Sequence, residues 1–265
     1  MIELKDVHKQ LGGRMILDGL SLTVEEGETL VILGRSGTGK SVTLRHVIGL
    51  LTPDHGEIEV LGEEISHHKP EILRKVRRRI GYLFQDGALL NWLNLADNIG
   101  LPLRERRAHS EEEIQQRIAE VLCEVELDGH ATKLPSEISG GMRKRAGLAR
   151  ALVCQPEIML YDEPTSGLDP ISSSVINGLI MKLKEMGITQ MVVTHDMKSA
   201  FEVADRIALL HGGKVHALGT ADEFRGSSDP AVQQFIHGNV EGPLAKEFRE
   251  DPGADSLNNE ESEES

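Results

Sequence analysis

The sequence predicts an α/β protein with a mainly parallel strand core, an antiparallel β-subdomain at its start and a helical subdomain inserted within it. Three observations carry this. Short apolar runs bounded by glycine and acidic turns crowd the first third of the chain. Later apolar runs alternate with segments of helical period, the pattern of βαβ units. Between them, residues 86–137 hold no β-rich run at all.

Taken in order, strands are expected at Ile2 to Val7, Leu20 to Val24 and Thr29 to Leu33, separated by Gly12-Gly13, Asp18-Gly19 and Glu25-Glu26-Gly27. A glycine-rich loop follows, then a helix from Ser41 to Leu51 closed by Thr52-Pro53. A second strand pair is expected at Glu57 to Leu61 and Ile80 to Phe84, with a basic helical segment between. In the insertion, Ser110-Glu111-Glu112-Glu113 combines an N-cap serine with an acidic first turn. Ile114, Ile118, Val121, Leu122 and Val125 then keep helical spacing. The α/β pattern resumes with a helix at Gly141 to Val153, a strand at Glu157 to Tyr161, a helix at Ile171 to Met186, a strand at Gln190 to Val193 and a helix at Met197 to Ala204. Strands at Arg206 to Leu210 and Lys214 to Leu218 and a helix near Pro230 to Ile236 complete it. There is no internal repeat of useful period.

The 265 residues are 39% hydrophobic and carry a formal charge of −14, enough chain for a substantial core. No stretch approaches the roughly 18–20 apolar residues that span a bilayer. The first residues lack the basic-then-apolar layout of a signal peptide, and the two cysteines, Cys123 and Cys154, have no metal-ligand spacing. A cytosolic protein is expected. Seven acidic residues and no basic one lie between Glu250 and Ser265, so this tail holds about half the net charge and reads as disordered. A mildly acidic body weighs against nucleic acid as a partner.

The chemistry begins at Gly34-Arg35-Ser36-Gly37-Thr38-Gly39-Lys40-Ser41, which satisfies G-x-x-x-x-G-K-[ST] between an apolar strand and a helix. The glycines let consecutive N–H groups face β- and γ-phosphate oxygens, and the helix N-terminus adds partial positive charge. Lys40 suits the phosphates and the Ser41 hydroxyl suits Mg²⁺. ATP or GTP binding follows. Downstream, Ile158-Met159-Leu160-Tyr161 ends in Asp162 and Glu163. An acidic pair at a strand end is common in isolation. After a phosphate loop it reads as a Mg²⁺ carboxylate, Asp162, followed by a group for the attacking water, Glu163.

Further motifs give the chain a family resemblance. Ser139-Gly140-Gly141-Met142, preceded by Ile138, is similar to the signature L-S-G-G-Q of ATP-binding-cassette (ABC) proteins. Gln85 after Gly81-Tyr82-Leu83-Phe84 is similar to the Q-loop glutamine, Ser166-Gly167-Leu168-Asp169 to the D-loop and His195 to the switch histidine. Each alone has a bland reading, as a cap, a solvated side chain or a surface turn; their order excludes coincidence. The resemblance implies a P-loop NTPase core of ABC type over residues 2–238, with the helical insertion at 86–137 and a C-terminal extension at 239–265. It implies catalytic roles for Glu163, His195, Gln85 and Lys40. Residues 34–41 would bind ATP together with Ser139, Gly140, Gly141 and Asp169, and Ser41, Gln85 and Asp162 would hold Mg²⁺. It also implies a homodimer, because the signature turn caps the nucleotide of the second subunit. Two departures stand out: Leu11 where an adenine-stacking aromatic is frequent, which predicts loose base selectivity, and Met142 in place of glutamine.

Within that family, Phe84-Gln85-Asp86-Gly87-Ala88-Leu89-Leu90, Ile138 to Arg145 and the ending Val232 to Gly238 followed by Gly242-Pro243 resemble the ATPases of bacterial Mla-type (toluene-tolerance) phospholipid transporters. That implies an integral permease dimer at the inner membrane's cytoplasmic face as partner. A periplasmic lipid-binding protein and a small cytoplasmic regulatory subunit are candidate further partners. An importer of amino acids or a small anion would share the ATPase residues, and a non-transport ABC ATPase would need long heptad insertions or a second phosphate loop. Asn91-Trp92-Leu93 is either a permease contact or part of the core. Arg74 to Arg79 is expected as a solvated helical face, with anionic headgroups as the sharper alternative. His67-His68 is expected as surface loop, and Met181, Met186, Met191 and Met197 as core.

Overall fold

The structure is a computed structural model that describes residues 1–67 and 69–244. The acidic tail from Glu250 and His68 of the histidine pair lie outside the described residues. The described residues divide into two compact units that meet between Ala221 and Asp222 in the chain.

In the first unit, β1 (Ile2–Leu11) and β2 (Arg14–Val24) form an antiparallel hairpin. Gly12 and Gly13 turn it at φ 56° and 81°, a region that glycine enters without steric penalty. Both strands run longer than expected, because register shifts between Leu4 and His8 absorb the break in apolar alternation. β3 (Thr29–Leu33) is buried throughout. α1 (Lys40–Val47) stops short of Leu51: Gly49 turns out of the helix at φ 67°, and its N–H bonds back to the His46 carbonyl.

Next come β4 (His55–Val60), β5 (Glu63–Glu64), α2 (Pro70–Arg77) and β6 (Ile80–Leu83). The expected pairing of the strands near 57–61 and 80–84 does not occur. β4 pairs antiparallel with β1, while β6 joins the other sheet. Burial explains the separation. In β4, Ile58 and Val60 are buried between exposed glutamates, which suits a sheet with one wet face. Every residue of β6 is buried, which suits an edge strand of a parallel sheet covered on both faces.

The insertion contains α3 (Leu95–Arg106), α4 (Glu111–Glu124) and a short 3-10 turn at Pro135–Glu137. Ser110 opens α4 with a full capping box, accepting the Glu113 N–H at 3.3 Å while Glu113 accepts the Ser110 N–H at 2.7 Å. The five apolar positions expected inside are all buried. The amide of buried Asn98 bonds to the main chain of Leu90, Leu93 and Asn94, fixing the loop on which Trp92 stands 76% exposed. Trp92 is therefore no core residue.

The remainder of the unit is α5 (Gly140–Leu152), β7 (Ile158–Asp162), α6 (Pro170–Glu185), β8 (Thr189–Val193), α7 (Met197–Val203), β9 (Arg206–His211) and β10 (Lys214–Thr220). The sheets run β2-β1-β4-β5, and β10-β9-β3-β8-β7-β6 with β9 to β6 parallel. Of the methionines expected in the core, Met191 is buried but Met186 is exposed, because it caps the end of α6 beyond the packed face. Among the described residues no helix is long and apolar enough to cross a membrane, and no cluster of three or more metal-ligating side chains joins His67.

α8 (Ala221–Arg225) leads into the second unit, where Asp229 caps α9 (Pro230–His237) through the N–H groups of Ala231 and Val232. Gln234 holds the following turn, accepting from Leu244 N–H at 2.8 Å and donating to the Asn239 carbonyl at 3.1 Å.

Candidate active site

Strand order assembles the site. β3, β8, β7 and β6 are consecutive parallel neighbours, so the segments that follow them leave the same edge of the sheet. These segments are the phosphate loop, Thr194-His195, Glu163-Pro164 and Phe84-Gln85.

The loop from Gly34 needs its glycines for space as well as curvature. A Cβ on Gly34 would lie 2.6 Å from Thr38 Oγ1 and 2.9 Å from the Leu210 carbonyl, and one on Gly39 would lie 2.7 Å from Leu17 Cδ2. Gly37 and Gly39 sit at φ 82° and 97°. Ser36 and Gly37 are exposed at the tip, and Arg35 is partly buried. Lys40 is buried and folds under its own loop, donating to the carbonyls of Gly34 at 2.8 Å and Arg35 at 3.0 Å. Burial lowers the pKa of its ammonium, opposed by the charges of Glu163 and Asp162. Leu11 is partly exposed at the hairpin end, and the Ile16 carbonyl on β2 lies 3.1 Å from where a Gly39 Cβ would sit.

Opposite the loop, the Ser41 hydroxyl donates to Asp162 Oδ1 at 2.7 Å, and the Tyr82 hydroxyl lies 3.3 Å from Oδ2. Asp162 is thus a buried carboxylate held by hydroxyls, with no cation in ion-pair contact among the described residues. Two adjacent hard oxygen ligands of this kind fit Mg²⁺. Burial, then the Asp162 charge, raises the Tyr82 phenol far above its ordinary pKa, so it stays a neutral donor. Tyr82 went unnoticed in the sequence because a strand tyrosine looks like ordinary core.

Glu163 takes a left-handed backbone, φ 51°. Its Oε2 lies 2.8 Å from His195 Nδ1 and accepts the His195 N–H at 3.4 Å, while Oε1 stands 3.9 Å from Lys40 Nζ. The expected Lys40, Ser41, Asp162, Glu163 and His195 therefore form one cluster. Gln85 is exposed at the same edge.

Two sets of expected residues are placed differently. Ser139 caps α5, accepting the Met142 N–H at 3.3 Å, and the space beside Gly141 is filled by Ser172. Asp169 caps α6, accepting from Ile171 N–H, Ser172 N–H and the Ser172 hydroxyl. The polar partners of these side chains lie on their own helices, none in the phosphate loop.

A phosphate loop and a carboxylate pair on one sheet edge, with a serine-glycine turn capping a neighbouring helix, define a nucleotide-binding cassette. The ABC transporter family model matches residues 17–166. The intermembrane phospholipid transport system ATP-binding protein MlaF of Escherichia coli is 40% identical over 92% of this chain and 91% of its own length. The probable ribonucleotide transport ATP-binding protein mkl of Mycobacterium tuberculosis is 42% identical over 94% of this chain and 70% of its own length. Among solved structures, a dimeric post-hydrolysis ATP-binding cassette with ADP and Pi is 36% identical at TM-score 0.77, covering 83% of this chain and 99% of that one. The chain belongs to the ABC transporter family, and it is an ATP-binding ATPase of that family.

Proposed function

We propose that the chain is the ATP-hydrolysing motor of a membrane transporter that moves phospholipid between membranes. The observation that carries its chemistry is the cluster in which Ser41 meets Asp162 and Glu163 meets His195 beside Lys40. The N–H groups of residues 34–41 would cradle the ATP phosphates, with Lys40 turning from its own loop carbonyls to the β- and γ-oxygens. Ser41 and Asp162, with Gln85, would hold Mg²⁺, which supplies neutralising charge for the phosphate oxygens. Glu163 would orient and deprotonate the attacking water. His195 holds the Glu163 carboxylate toward that position and would sense the γ-phosphate.

Ser139, Gly140, Gly141 and Asp169 find no role inside one chain's cluster. A second copy supplying its serine-glycine turn at the α5 N-terminus completes each site, giving a two-fold dimer. We place residues 2–238 in the ATPase domain, with the insertion 86–137 as the permease socket and exposed Trp92 as a contact, and 239–265 as an extension. The assembly sits on the cytoplasmic face of an inner membrane, with a permease dimer, a periplasmic lipid-binding protein and a small regulatory subunit as partners.

The lipid cargo is supported by similarity along almost the whole of the MlaF chain; the name of the mycobacterial relative favours ribonucleotides instead. Extraction of the native complex from membranes, followed by lipid analysis, decides between them. Co-purifying permease with bound phospholipid is expected. Recovery as a free protein, or a complex without lipid whose ATPase responds to ribonucleotides alone, overturns the lipid reading.

A further inference from the structure

We propose that Lys144 is a positioning residue for hydrolysis: from α5 it holds the main chain of Glu163, and through it the carboxylate that faces the phosphate loop. The inference rests on the ATPase reading above. Lys144 lies five residues after Ser139 and is only 6% exposed. Its Nζ donates to the carbonyls of Glu163 at 2.9 Å and Ser166 at 2.6 Å, and it pairs with no carboxylate among the described residues. A buried ammonium satisfied only by carbonyls is an expensive way to close a turn, since desolvation penalises the charge.

What it secures is a residue in an unfavourable conformation. Glu163 has a left-handed backbone, which a non-glycine residue keeps only when its surroundings hold it there. The Glu163 N–H donates to the Val193 carbonyl at 2.9 Å, and its own carbonyl accepts from Lys144 and, at 3.2 Å, from the Ser166 N–H. Both peptide groups of Glu163 are therefore pinned, and the carboxylate is delivered to His195 and Lys40. Lys144 also stands at a junction. A Cβ on Gly87 would come 2.8 Å from the Arg143 carbonyl, and one on Gly147 2.8 Å from the Gly87 carbonyl, so the loop after Gln85 rests on the same turns of α5. The helix that carries the serine-glycine turn thus grips the catalytic turn on one side and the Gln85 loop on the other.

The test compares full-length parent, Lys144→Met, Lys144→Arg and Lys144→Gln proteins in steady-state ATP hydrolysis and thermal unfolding. Lys144→Met is expected to lower kcat about ten-fold with the KM for ATP within about two-fold of the parent, the signature of an interaction that matters in the transition state. Lys144→Arg, which keeps charged donors, recovers most of the rate. In a Glu163→Gln background, Lys144→Met adds no further loss, because its effect runs through Glu163. If Lys144→Met fails to fold, Lys144→Gln is judged by the same kcat and KM criteria. Unchanged kcat, a rise in KM alone, or multiplicative losses in the double variant overturn the inference while leaving the ATPase reading intact. A parent without ATP hydrolysis overturns both.

Discussion

The carboxyl edge of the parallel sheet and the start of α5 treat their polar groups in opposite ways. At the sheet edge, side chains from segments well separated in sequence meet one another: Ser41 with Asp162, Lys40 near Glu163, Glu163 with His195. At α5, Ser139 bonds, among the described residues, to the helix it begins. One half of the site is preorganised within the chain. In the reading proposed above, the other half, the serine-glycine turn at α5, acts on a phosphate that a second molecule brings. On that reading the cassette binds nucleotide alone but hydrolyses it in pairs, so that phosphate loss becomes relative motion of two bodies.

The largest expected effect tests the preorganised half. Glu163→Gln should lower kcat by about 10²- to 10⁴-fold, the range for losing a positioned base. Nucleotide binding should persist, and the ATP-bound dimer should outlive that of the parent in size-exclusion chromatography. Lys40→Ala acts on binding itself: loss of charge-assisted contacts to the phosphates should weaken ATP affinity about ten- to hundred-fold by calorimetry.

The next prediction sharpens the division between the halves. Ser139→Ala removes an N-cap worth about 1 kcal/mol and should slow hydrolysis without weakening nucleotide binding to the single chain. Mixing Ser139→Ala with Glu163→Gln proteins then creates mixed dimers, in which one site has both its parts and the other has neither. Recovery toward about a quarter of parental activity is expected from such random pairing. No recovery on mixing would show that each chain uses its own serine.

The smallest effect belongs to the insertion. Arg104, then Gln115, draws the Glu111 carboxyl down to about 2. A carboxyl lowered on folding stabilises above its ordinary value of 4.5, and that contribution is lost as the pH falls from there toward 2. Glu111 is solvent-exposed and Arg104 only half-buried, so screening keeps it small. Glu111→Gln should flatten the dependence of Tm on pH in this window by only about one to three degrees.

Much of this was legible beforehand, for local reasons. The phosphate loop declares itself through glycines whose space is taken by Thr38 and Leu17, and α4 through the Ser110 cap and its apolar stripe. The failures were non-local. The strands near 57–61 and 80–84 looked like partners because they are neighbours in sequence, yet one-sided burial sent the first to β1 and two-sided burial sent the second to β7. Tyr82 and Lys144 lie within segments that carry the resemblance but had no role of their own there, since a core tyrosine and a helical lysine gain meaning only from what they face.

By itself the sequence determined which chemical groups are present and the local conformations that display them. A turn that demands glycine, or a cap that demands serine, is decided within a few residues. Only the tertiary structure decided that β3, β8, β7 and β6 lie side by side, that His195 therefore reaches Glu163, and that Lys144 closes on the same turn. Strand order depends on which faces are buried against which helices, a property of the whole packed core that no short spacing can encode.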